Sequence, residues 1–210
     1  MSRWLATLAE HLGGLQDGFQ PNELAYLALT QKVEHTIRDA LAFSLYRELG
    51  DTRGFVCREW TRFDLAVASR GLPSLLLEAK AVYTFDICKP GAQHDYPAAI
   101  EADIAKAIAC LRTYGERARQ SEAFALLLAT HPYGAPDNRY NDTVKYLSGV
   151  RSGVIRGVTV EDAHREVIRR MSNPPIAAHG VIEGGEAFGV KVGVAYWLLG
   201  PYRLLPPAAS

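Results

Sequence analysis

Two acids and a lysine stand at a spacing that can assemble one charged cluster: Asp64, thirteen intervening residues, then Glu78-Ala79-Lys80. They fall in two strand-like segments, 62–68 and 74–82, joined by Ser69-Arg70-Gly71-Leu72-Pro73. Gly71 can take a positive φ there, and Pro73 cannot donate to a ladder, so the joint reads as a hairpin loop. In an antiparallel pair turning about residue 71, positions whose numbers sum to 142 lie opposite each other. Asp64 is then expected to face Glu78, with Lys80 on the same side of the sheet. Leu65 and Val67 pair with Leu77 and Leu75 on the reverse side, so the register that buries the leucines also gathers the charges.

Two carboxylates this close repel unless a positive charge lies between them. A hard divalent cation, Mg²⁺ or Mn²⁺, is the expected occupant, with Asp64, Glu78 and the Ala79 carbonyl as its protein oxygens. Lys80 could then orient an attacking water or balance charge on a phosphorane-like transition state. An E-x-K on a strand is more commonly a solvated face or a cross-strand ion pair. Leu75-Leu76-Leu77 runs into Glu78 without alternation, however, which marks a strand covered on both faces, where charge is unusual.

The elements that must hold this cluster follow from periodicity. Leu5–Leu12 reads as a short amphipathic helix, an accessory arm or lid, and a turn-prone stretch follows it. A long helix is expected over about 23–49, capped by Asn22 and closed by Gly50, with Leu24, Leu27, Val33, Ile37, Leu41 and Leu45 on its stripe. Glu34 lies at the edge of that stripe, with Arg38 one turn on as a surface partner. Strands at 55–60, 62–68 and 74–82 should be antiparallel neighbours. A second helix begins near Pro97 and presents Ile100, Ile104, Ile108, Leu111 and Tyr114. The apolar run Phe124–Thr130 reads as a buried strand parallel to an earlier one. Short helices are expected at 141–147 and 160–171, and strands at 177–182 and 187–199 about a Gly184-Gly185 turn. The tail from Pro206 is expected to fray.

Composition bounds the function without choosing it. Lys plus Arg (23) equals Asp plus Glu (23), so a polyanion would need a local basic patch. Arg58, Arg62, Arg70, Lys89 and His94 are candidates for it, whereas Lys106, Arg112, Arg117 and Arg119 read as the solvated face of the second helix. Glu59 and Asp86 read as rim acids, and His94 and His131 as loop histidines. Cys57, Cys88 and Cys110 form no C-x-x-C pair, consistent with reduced thiols in a cytoplasmic protein. No apolar run approaches the roughly 18 residues of a membrane span, so no membrane partner is expected. The chain has no G-x-S-x-G elbow, no phosphate-binding G-x-x-x-x-G-K-[ST] loop and no H-E-x-x-H helix.

Asp64 with Glu78-Ala79-Lys80, in the order helix, three antiparallel strands, helix, strand, resembles the PD-(D/E)-x-K nuclease superfamily over residues 22–130. Phe63 stands where the name motif has proline. The resemblance implies an α/β restriction-endonuclease-like α-β-β-β-α-β core, with a central mixed sheet flanked by helices and a C-terminal β-hairpin elaboration. It implies Asp64 and Glu78 as metal ligands, Lys80 as the catalytic lysine, Glu34 as a further acid from the first helix, and DNA as substrate with 5′-phosphate products. RNA and a homodimer are further partner expectations. The expected division is 1–21 as an N-terminal helical arm, 22–135 as the nuclease core and 136–210 as its C-terminal elaboration. The alternatives are a catalytically inactive nucleic-acid-binding or assembly module of the same fold, and a hydrolase of small substrates.

Overall fold

A computed structural model describes residues 2–50, 54–89, 95–171 and 175–204. The positions expected for His94 and for the tail from Pro206 lie outside the described residues. Six strands, β1 (Phe55–Trp60), β2 (Phe63–Ser69), β3 (Leu72–Tyr83), β4 (Glu122–Pro132), β5 (Ile176–Ala187) and β6 (Val190–Tyr202), form one mixed sheet in the order β1-β2-β3-β4-β6-β5. Among the described residues only the β3–β4 pair is parallel. A parallel pair needs a crossover, and here it is supplied by α4 (Thr84–Ile87) and α5 (Tyr96–Thr113).

Each face of the sheet is closed by helices. Helices α1 (Arg3–Gly13), α2 (Glu23–Thr30) and α3 (Glu34–Leu49) cover one face, where Leu8, Leu24, Ile37, Leu41 and Leu45 bury against Leu65, Val67, Leu75, Leu77, Leu126 and Leu128. On the other face α5 and α7 (Val160–Arg170) pack Ile100, Ala107, Leu111, Ala163 and Val167 against Leu76, Leu127 and Trp197. Every residue of β4 is buried, because the strand is central and covered on both sides. Among the described residues no helix is long and apolar enough to cross a membrane.

Four local expectations are corrected. The single helix over 23–49 is two helices, broken at Gln31, whose backbone is extended. Thr30 turns its hydroxyl back onto the Tyr26 carbonyl, and the Leu29 carbonyl freed by the break accepts from the Lys145 N–H at 2.7 Å, so a tertiary partner supports the break. The N-terminal helix is no detached arm, since Trp4, Leu8 and Leu12 are core residues. Gly184-Gly185 is not a turn but an irregularity inside β5; the reversal comes at Phe188 and Gly189, both with positive φ. The pair is needed for close approach instead: a Cβ on Gly184 would lie 2.8 Å from the Val192 carbonyl oxygen, and one on Gly185 would lie 2.5 Å from Asn22 Oδ1. The hairpin this forms is built into the sheet, with β6 paired to β4.

The fourth correction is the helix expected at 141–147, which runs instead as α6 (Leu147–Ile155), after a short 3₁₀ turn at Asn138–Tyr140. Gly149 and Gly153 weaken its helical signature in sequence. They seat the Phe85 ring, which a Cβ on Gly149 would approach to 2.5 Å.

Candidate active site

The β2–β3 hairpin turns tightly on Arg70 and Gly71, both with positive φ, as a two-residue hairpin turn requires. Ser69 pairs with Leu72 and Ala68 with Pro73, so the turn by itself sets a sum of 141. A bulge then places Leu75 opposite Val67, leaving Ser74 as the extra residue, its hydroxyl donating to the Val67 carbonyl at 3.1 Å. Beyond the bulge Leu65 pairs with Leu77, a sum of 142, and the expected register holds although the loop is not the one expected.

Pairing of β2 with β3 ends at Leu65–Leu77, while β3 continues beside β4 as far as Tyr83. The strands therefore fork, and the β2-side edge of β3 past Leu77 must be satisfied by something other than a ladder. Side-chain carboxylates do it. The Ala79 N–H donates to Asp64 Oδ2 at 2.8 Å, and the Ala81 N–H donates to Glu34 Oε2 at 3.2 Å. Glu34 reaches this gap because it opens α3, whose first turn also favours a carboxylate. A strand residue directs its N–H and C=O to the same edge, so the Ala79 carbonyl opens into the gap that Asp64 borders.

Glu78 and Lys80 project toward α5, each meeting an opposite charge. The Lys106 ammonium abuts Glu78 Oε1, and Lys80 Nζ lies 3.1 Å from Asp103 Oδ2. Glu78 is buried, and burial pushes its carboxyl up to about 7; Lys106 pulls it down and the neighbouring Asp64 adds to the rise. Burial would lower the Lys80 ammonium, but Asp103, with Glu34 and Glu78 beyond it, outweighs that and raises it above its ordinary value. Lys80 is thus a fixed positive charge at neutral pH. Glu78 Oε1 and Asp103 Oδ2 are buried without a hydrogen bond of good geometry, each beside a lysine ammonium. The cluster opens to solvent through the lysines, which keep 36% and 42% of their side-chain exposure.

Asp64, Glu78, Ala79, Lys80 and Glu34 are gathered at the fork. Arg38 is not a surface partner of Glu34: it is buried, donates to Asp39 at 2.8 Å and to Glu59 at 3.0 Å, and stands 4.0 Å from Asp64 Oδ1. Lys106, although exposed, does more than solvate its helix, for it meets Glu78, donates to the Arg62 carbonyl at 3.0 Å and lies 4.8 Å from the centre of the Phe63 ring. Asp103 was missed altogether. Asp103 and Lys106 flank the buried stripe that Ile100, Ala107 and Leu111 form on α5, a position with no distinct signal in sequence. His131 is not in a loop; it is buried on β4, within 2.9 Å of the Thr84 hydroxyl, and burial lowers its pKa. Arg58 is tied to Asp39 at 3.0 Å.

Among the described residues no group of three or more His, Cys, Asp or Glu is placed to hold a metal ion. The oxygens at the fork are the carboxylates of Asp64, Glu78 and Glu34 and the backbone carbonyl of Ala79. A comparison with family models, curated proteins and solved structures found no match to this chain.

Proposed function

We propose that this chain hydrolyses phosphodiester bonds in DNA at the β2/β3 fork, as a metal-dependent nuclease of PD-(D/E)-x-K type. One observation carries the reading. Where the strands part, a buried carboxyl raised to about 7 stands beside a second carboxyl and an outward backbone carbonyl, with a permanently charged lysine on the same strand face.

The donors suit a hard cation. Mg²⁺ uses one or two carboxylates and fills its remaining positions with water and phosphate oxygens, so three acidic side chains are not required. Asp64, Glu78 and the Ala79 carbonyl would hold Mg²⁺ or Mn²⁺, which supplies Lewis acidity toward a phosphoryl oxygen and an acidified water. Lys80, kept protonated by Asp103, offers its charge to the attacking water or to a phosphoryl oxygen. Glu34 fixes the β3 edge through Ala81 and adds negative charge to the same gap.

A second reading rests on Lys106. Its ammonium already faces Glu78, and Asp103 already faces Lys80, so these two pairs hold together without a cation. That arrangement suits a nucleic-acid-binding or assembly module without turnover. Incubation of plasmid and single-stranded DNA with Mn²⁺ separates the two. The nuclease reading expects cleavage by the wild type and its loss in Glu78→Ala and Lys80→Ala. An intact substrate in all three samples, with DNA binding unaltered by Lys80→Ala, would leave the module.

A further inference from the structure

Beyond Lys80, β3 runs into a cleft of about 250 Å³ whose lining includes Lys32, Ala81, Tyr83, Phe85, Tyr146 and Ser148. The cleft adjoins the candidate site directly: Ala81 forms part of its wall, and the Ala81 N–H is the group that Glu34 holds. Its volume lies below the roughly 300–1,000 Å³ of sites that enclose a drug-sized ligand. It is suited to one planar group.

The walls are aromatic and fixed in place. Tyr83 stacks on Phe85 with centroids 4.9 Å apart, and Tyr146 meets Tyr83 edge-on at 5.6 Å. Phe85 is seated against Gly149 and Gly153, and the Tyr83 hydroxyl is anchored on the Ala28 carbonyl at 2.9 Å. Tyr146 differs from these two. It is 47% exposed and holds a left-handed backbone with φ of 56°, a conformation that a bulky residue adopts at a cost. The edge contact with Tyr83 holds one side of this ring, and its exposure leaves the rest at the mouth of the cleft open to solvent. Lys145 lies over that ring at 5.4 Å, and the lining holds Lys32 together with the acid Asp86, so the positive charge that can meet a phosphate is the one beside Tyr146.

We infer that this cleft receives one unstacked nucleobase of a single-stranded nucleic acid whose backbone is presented at the fork. The inference rests on the nuclease reading for the position of the backbone. A base paired inside a duplex cannot enter such a cleft without being extruded, whereas a single strand can stack a base on tyrosine at any sequence. The substrate class follows: single-stranded or frayed ends in preference to continuous duplex.

The test measures binding without turnover. A fluorescent 20-nucleotide single strand carrying one 2-aminopurine is titrated in EDTA, beside the same strand annealed to its complement. The wild type should favour the single strand and quench the 2-aminopurine. Tyr146→Ala should weaken single-strand binding at least about fivefold, the lower end of what stacking one base contributes, while Tyr146→Phe keeps it. Ser148→Phe, which fills the cleft from an exposed position, should weaken it similarly. Equal affinity of the wild type for both forms, or wild-type affinity in both Tyr146→Ala and Ser148→Phe, overturns the inference. The nuclease reading is judged apart, by whether the wild type cuts the same oligonucleotide when Mn²⁺ replaces EDTA.

Discussion

Along its β4 edge β3 is paired without a break from Leu75 to Tyr83, whereas along its β2 edge pairing stops at Leu77 and two carboxylates take over. The first edge is regular and closed by backbone pairing throughout. The second meets the same backbone demand with Asp64 and Glu34, charged groups that bring negative potential and an outward carbonyl with them. One strand thus shows how a sheet can house chemistry without losing its core: the hydrogen bonds are kept, but their acceptors are changed from peptide to carboxylate. Since a buried N–H left unpaired costs about 1–3 kcal/mol, Asp64 and Glu34 are structural and candidate functional residues at once.

The contrast breaks most sharply at Asp64. Asp64→Ala should lower Mn²⁺-dependent cleavage by about a thousandfold, roughly 4 kcal/mol of transition-state stabilisation, and should also lower the melting temperature because Ala79 loses its acceptor. Asp64→Asn keeps an acceptor for Ala79 but removes the charge, so it should melt near the wild type while remaining inactive. Equal melting of the two variants would show that the fork edge needs no side-chain acceptor.

The next effect is read against pH. Folded Glu78 keeps its proton to about pH 7, above its ordinary value of 4.5. Between those values the folded state binds more protons than the unfolded chain, so the stability from this group is complete below about 4.5 and lost as the pH rises through 7. The span corresponds to about 3 kcal/mol. In metal-free buffer Glu78→Gln should therefore melt like the wild type at pH 4 and above it at pH 8, by urea or thermal unfolding. A constant difference across that range would remove the burial argument. The smallest effect belongs to Glu34. Glu34→Ala should destabilise by about 1 kcal/mol through the Ala81 N–H, and faster amide exchange at Ala81 than at Lys80, whose neighbour is β4, would report it locally.

Much of the site was legible because strand alternation is strict. Leu65, Val67, Leu75 and Leu77 had to share a face, and that alone put Asp64 and Glu78 together on the other. Lys106 and Asp103 were not legible in the same way, since whether a helix residue reaches a site depends on how the helix docks, and both sit among residues that also suit a solvated flank. The break at Gln31 was hidden because the apolar spacing continues through it. The long-range bond from Lys145 to Leu29 that helps hold it open has no local signature. Gly184-Gly185 misled for a clearer reason: two glycines adjacent in sequence can serve either a reversal or a close approach, and only the proximity of Asn22 and Val192 distinguishes them.

The bulge at Ser74 has a consequence for how this hairpin tolerates change in length. Because the surplus residue lies between the reversal and the charged cluster, removing Ser74 would erase the irregularity and leave Leu75 opposite Val67, with all partners downstream preserved. Removing a residue from the regular stretch after it, Leu75 to Leu77, would instead cost the core a leucine, because the bulge could take up the lost length only by drawing Ser74 into the ladder. The hairpin therefore carries its slack on the side away from the fork, and loop variation there is uncoupled from the alignment of the acids.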